Sequence, residues 1–92
     1  MTATATITAD EACKVMVIFT RSNRNASDQI RWIVSKNGAQ VDNFIALTGG
    51  LSYATKEYDL AAGDTLTTAG TGTGYAGASS FFVASGIGSI HR

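Results

Sequence analysis

From its first residues the chain alternates with the period of a strand. Thr2-Ala-Thr-Ala-Thr-Ile-Thr-Ala9 puts threonines on one face and small apolar residues on the other, as expected where successive side chains point to opposite sides of a pleated backbone. The same period returns in later segments, and no segment carries apolar residues at helical spacing. Proline is absent, so nothing in the composition interrupts a ladder of backbone hydrogen bonds. A chain of this kind must form sheets, and its remaining freedom lies in how those sheets pack.

The strongest strand signal is Cys13-Lys-Val-Met-Val-Ile-Phe-Thr20. Val15, Val17 and Phe19 line one face, Met16 and Ile18 the other. Both faces are apolar, so both need cover, one of them from an opposing sheet and the other from a loop, an arm or another subunit. Arg21 to Asp28 is polar and reads as a loop, with Ser27 able to cap a short helical turn. Ile30 to Leu47 reads as a hairpin about Asn37-Gly38, a pair suited to the positive φ angles of a type I′ turn. A two-residue turn there sets Val34 opposite Val41, Trp32 opposite Asn43 and Ile30 opposite Ile45.

Gly49-Gly50 breaks the chain before Leu51–Leu60, where Lys56, Tyr58 and Leu60 share a face opposite Glu57 and Asp59. Ala61 to Asp64 is a tight turn, followed by a short strand over Thr65–Thr68 and a glycine-rich loop over Gly70–Gly77. Ser79 to Ile90 closes the chain as a strand, with Phe81, Val83 and Ile87 on one side and Phe82 and Ala84 on the other. Six to eight antiparallel strands with regular turn signals imply an all-β fold, a compact β-sandwich or small jelly roll. Residues 1–9 form an N-terminal strand or arm, and residues 10–92 a single sandwich domain.

Composition narrows the function. The 92 residues carry seven Lys/Arg against seven Asp/Glu, so no net field draws the chain to nucleic acid or to an anionic membrane. Charged residues make up 15%, against roughly 25% in soluble domains generally, and Ala, Thr, Gly and Ser together account for nearly half of the sequence. Few charges and no proline leave strand edges open to pairing with other chains, which is useful in a subunit of an assembly. One cysteine, Cys13, excludes an intrachain disulfide framework. No apolar run is long enough for a membrane helix, and the opening residues lack the pattern of a signal peptide. Synthesis in a cytoplasm, with Cys13 reduced and packed as an inert thiol, is therefore expected. The acceptor pattern Asn25-Ala26-Ser27 then has no role.

No motif demands an enzyme or a cofactor. Gly72-Thr-Gly-Tyr-Ala-Gly77 matches G-x-G-x-x-G, but a strand follows it where a dinucleotide site needs a helix. Glu57 and Asp59 lie about 7 Å apart on one strand face and, with Asp64, form the only carboxylate group worth weighing as an acid–base or calcium site. A solvated strand face leading into a turn accounts for them. The single histidine, His91, has no partner ligand near it in sequence, so a metal site is not expected. Arg21, Arg24 and Arg31 cluster around the polar loop and read either as a solvated loop surface or as docking charges for carboxylates on a protein partner.

Two segments carry a family resemblance. Tyr58-Asp-Leu-Ala-Ala-Gly-Asp-Thr-Leu66 is similar to the strand, L-x-x-G-D, strand step of the small jelly rolls of the tumour-necrosis-factor and complement-globular type. The closing Ser80-Phe-Phe-Val-Ala-Ser-Gly86 resembles their final aromatic strand. The similarity spans residues 28–88, in a chain shorter than most members. It implies a homotrimer about an apolar, aromatic axis and, since such domains recur in bacteriophage fibre heads and capsid decoration proteins, a virion structural protein. The expected role is that of a decoration or cement protein on the outer capsid surface, bound to the major capsid protein or another virion protein. On that view Thr2, Thr4, Thr6, Ile7 and Thr8 form a capsid-contacting arm. Val15, Val17, Phe19, Phe81 and Phe82 form the core or the subunit interface. The alternative is a receptor- or carbohydrate-binding fibre or adhesin head, with Trp32, Tyr53 and Tyr75 as a stacking platform.

Overall fold

In a computed structural model of the chain, residues 2–23, 30–46, 51–72, 76–84 and 89–91 are described. They form eight strands: β1 (Thr2–Ala9), β2 (Cys13–Asn23), β3 (Ile30–Lys36), β4 (Ala39–Ala46), β5 (Leu51–Leu60), β6 (Thr65–Gly72), β7 (Ala76–Ala84) and β8 (Ile90–His91). There is no helix among the described residues. The strands make two antiparallel sheets, β4-β3-β6-β1-β8 and β5-β2-β7, packed face to face as the sandwich that the alternating sequence implies. The pairs β1–β8, β2–β7 and β3–β6 are nested one inside another, as in a long hairpin folded over on itself. β4 departs from that scheme by turning back beside β3 in the same sheet.

The core lies between the sheets. Val15, Val17 and Phe19 of β2 face Ile7 and Ala9 of β1, Trp32 and Val34 of β3 and Leu66 of β6, and Leu60 closes one end. Burying a large apolar side chain contributes about 1.5–3 kcal/mol, so this short row supplies most of the stabilisation that so small a domain can gather. Phe19 stacks tilted on Trp32 with centroids 5.0 Å apart and meets Phe44 edge-on at 5.1 Å. Cys13, Phe44, Tyr58, Phe82 and Ile90 pack against this centre from the margins.

Asn37 and Gly38 both have positive φ, 52° and 85°, so the β3–β4 turn is of the expected type. The register beyond it is not the expected one. Ser35 pairs with Gln40 but Val34 pairs with Asp42, which leaves Val41 as an extra residue in a β-bulge. One inserted residue reverses every side chain that follows. Trp32 therefore stands opposite Phe44 and Ile30 opposite Ala46, and Val41 and Ile45 turn outward, about half exposed. The bulge brings the larger ring of Phe44 against the core in place of two smaller aliphatic chains.

Two further expectations change. Gly70 and Gly72 are not loop residues, because β6 continues to Gly72 and pairs with β3 as far as Ile30. A Cβ on Gly70 would stand 2.8 Å from the Trp32 ring, so the glycine is what lets the indole lie flat on β6. The closing strand is divided: β7 belongs to the three-stranded sheet, while β8 crosses to pair with Thr8 and Ala9. The expected helical turn at Ser27 and the side chain of Ile87 lie outside the described residues.

Candidate interaction surface

Three polar clusters hold the margins of the sandwich. Along the β4–β5 side, the Tyr58 hydroxyl donates to Asp42 Oδ2 at 2.9 Å, and Lys56 reaches the same oxygen at 3.5 Å while its ammonium sits 4.6 Å from the centre of the Phe44 ring. Desolvation pushes the Asp42 carboxyl up, but the Tyr58 hydroxyl, the Asn43 N–H and Lys56 together outweigh it and hold it below the usual carboxylate value. Burial, and then the Asp42 carboxylate itself, push the Tyr58 phenol well above its ordinary range. The bulge makes this cluster, since it turns Asp42 toward Tyr58.

At one end, the Asn37 side chain donates to Asp64 Oδ1 at 2.9 Å and accepts from the Thr65 N–H at 2.9 Å, while Asp64 Oδ2 accepts from the Ala61 N–H at 2.8 Å. These bonds, with Asn37 first, hold the Asp64 carboxyl below its usual value. Lys36 completes the corner by donating to the Asp59 carbonyl at 3.1 Å. The β3–β4 and β5–β6 turns are thereby tied together.

The third cluster joins residues from opposite ends of the chain. Asp10 accepts from Ser89 Oγ at 2.8 Å through Oδ2, and its Oδ1 lies 2.7 Å from His91 Nδ1. His91 thus has a carboxylate partner that sequence distance concealed. Serine, aspartate and histidine meet here, but the hydroxyl lies on the carboxylate and not on the imidazole, so the nucleophile–base contact of a hydrolytic triad is not formed. Beside it a cleft of about 240 Å³ is lined by Ile7, Phe82, Ile90 and His91, below the roughly 300–1,000 Å³ of most small-molecule sites.

The carboxylates weighed from the sequence do not converge. Glu57 and Asp59 flank Lys14 at 3.7 and 3.9 Å on the outer face of the three-stranded sheet, whereas Asp64 belongs to the Asn37 corner. Trp32 is not part of a ligand platform: it is 1% exposed, sealed between the sheets against Phe19 and β6. Its Nε1 has no hydrogen-bond partner among the described residues. Tyr75 and the side chain of Tyr53 lie outside the described residues. So do Arg24 and the side chain of Arg21; Arg21 stands on β2, while Arg31 stands exposed on β3 in the other sheet and donates to Asn43 Oδ1.

Residues 2–9 are a strand of the five-stranded sheet, paired with β6 from Thr2 to Thr8. Thr4 and Thr6 are exposed, whereas Ile7, at 2% exposure, is a core residue. Val15, Val17 and Phe19 are core, Phe82 packs on the core, and the side chain of Phe81 lies outside the described residues.

Among the described residues, the outer face of β5-β2-β7 is the feature that packing leaves unexplained. Met16 pairs with Val83 across β2 and β7, and Ile18 follows two residues along the same face. Val83 is 47% exposed, and Met16 and Ile18 are half-buried. Lys14 and Asp59 bound the strip at one end, and Glu57 stands beside Met16 on β5. An apolar centre with a charged margin is the anatomy of a protein–protein contact. The chain matches no protein-family model and no curated protein sequence.

Proposed function

We propose that this chain is a non-enzymatic structural subunit of a virion, a decoration or cement protein that binds the outer surface of a capsid and ties neighbouring shell subunits together. The observation that supports it is the Met16–Ile18–Val83 strip, set outward on a strand whose inner side chains are already fully buried. Covering that strip removes apolar surface from water and stabilises whatever assembly covers it. The resemblance of residues 28–88 to the trimeric jelly rolls of the tumour-necrosis-factor and complement type, which recur in phage particles, suggests the class of partner, a capsid protein. No observation favours the fibre-head alternative, since the tryptophan of its platform is buried.

The contact runs through the face of the three-stranded sheet and not through β1. Co-sedimentation of the purified chain with phage capsids stripped of their decoration tests this. The wild-type chain is expected to pellet with the shells of its cognate phage, and Ile18→Glu and Met16→Glu to stay in the supernatant while keeping the far-UV spectrum of the wild type. Binding unchanged by either substitution would remove this face from the mechanism.

A further inference from the structure

β1 has a free edge. β6 pairs with it from Thr2 to Thr8, but on its other side β8 reaches only Thr8 and Ala9. The Ala9 N–H donates to the Asp64 carbonyl and its carbonyl accepts from the Gly63 N–H, both on the β6 side, whereas the Asp10 N–H donates to Ser89 on the β8 side. Backbone groups alternate sides along an antiparallel strand, so the N–H and C=O of Thr2, Thr4 and Thr6 point away from β6. Among the described residues no strand stands beside them. Edges of this kind are normally guarded by a lysine, a proline, a bulge or a covering loop. Thr2–Ala9 holds neither charge nor proline, and it pairs with β6 without a shift of register.

We infer that this edge pairs with the same edge of a second copy of the chain, antiparallel, about a two-fold axis at Thr4. Two constraints set the register. A continuous sheet keeps its core face on one side, so even-numbered residues must oppose even-numbered ones. The incoming strand must also stop before Thr8, where β8 already sits. The longest alignment from Thr2 that meets both sets Thr2 against the partner's Thr6, Ala3 against the partner's Ala5, and Thr4 against the partner's Thr4. Each of the three even-numbered pairs then exchanges two backbone hydrogen bonds. Thr6 Oγ1 already bonds Thr67 Oγ1 at 3.0 Å, so the hydroxyl row on the outer face continues across the axis.

The neutrality of the strand selects the occupant. A second copy sets no like charges against one another, and an isologous contact satisfies both copies with one surface. The order β4-β3-β6-β1 then runs on into β1-β6-β3-β4 of the partner. This contact is separate from shell binding, which uses the outer face of the other sheet.

Sedimentation velocity of the full chain across a concentration series, with one disulfide trap, tests the pairing. The expected species has twice the chain mass, in place of the three times that the resemblance to trimeric jelly rolls implies. Thr4→Lys sets two ammonium groups directly opposite at the axis and is expected to weaken the dimer at least tenfold with an unchanged far-UV spectrum. In a Cys13→Ser background, Thr4→Cys is expected to oxidise to a covalent dimer, since directly opposed residues stand about 5.5 Å apart at Cα. A wild-type chain that stays monomeric, or a dimer or trimer that Thr4→Lys leaves intact and Thr4→Cys fails to trap, would overturn the inference.

Discussion

The Tyr58 hydroxyl and the Asp42 carboxylate, 2.9 Å apart, join the two sheets along the side where β4 lies over β5. Neither residue would meet the other without the bulge at Val41. The pair therefore links a local irregularity of one strand to the closure of the whole sandwich.

Tyr58→Phe is expected to lower stability by about 1 kcal/mol near neutral pH, the usual size of one hydrogen bond. The difference from wild type depends on pH at both ends. The Asp42 carboxyl is lowered in the folded chain, so its contribution is present above the unfolded value near 3.8 and lost as pH falls through the folded one. The Tyr58 phenol is raised, so above about pH 10 the unfolded chain ionises first and stability falls as pH rises. Urea unfolding of both proteins should show a gap that is widest between about pH 4 and pH 10 and narrows on either side. A gap constant from acid to alkali would mean that the pair does not couple to folding.

Gly70→Ala drives a methyl group into the Trp32 ring, 2.8 Å away. Overpacking of this kind costs about 1–3 kcal/mol. In a Trp32→Phe background the same change should cost clearly less, because the atoms it meets are gone. A double-mutant cycle by thermal melts checks this, and additive losses would contradict it.

Asn37 combines a backbone and a side-chain role that substitution can separate. Asn37→Gly keeps the positive φ of 52° accessible but loses the bonds to Asp64 and Thr65, for about 1 kcal/mol. Asn37→Ala loses the bonds and adds left-handed strain, for roughly 1 kcal/mol more. Chemical denaturation should rank wild type above glycine and glycine above alanine. The reverse order for the two variants would place the strain elsewhere.

Lys14 offers the opposite case. It lies between Glu57 and Asp59, yet all three side chains are at least half exposed. Lys14→Ala should change stability by no more than about 0.5 kcal/mol. A larger loss at physiological salt would show that these charges support the sheet.

What could be read from the sequence is what repeats locally. The burial of Val15, Val17 and Phe19, the outward Met16 and Ile18, the Asn37-Gly38 turn and the shared face of Lys56, Tyr58 and Leu60 all follow from strand period and turn chemistry. The bulge at Val41 has no local mark, and a single extra residue was enough to exchange Val41 and Ile45 for Asp42 and Phe44 on the inner face. Trp32 suits a binding platform and a core equally well, and only its partners Phe19 and Gly70 decide between them. The Asp10–His91 contact joins the two ends of the chain through β8, a pairing too short for any pattern to announce.

In the proposed role, the outward strip of the three-stranded sheet is the contact with a shell. Met16 lies at its centre and carries a readily oxidised thioether, so hydroxyl-radical footprinting reads that contact in one residue. On binding capsids, oxidation of Met16 should fall several-fold, while Val41 and Ile45 on the other sheet keep the labelling of the free chain. Equal labelling of Met16 in free and shell-bound chain would contradict a shell contact through this strip.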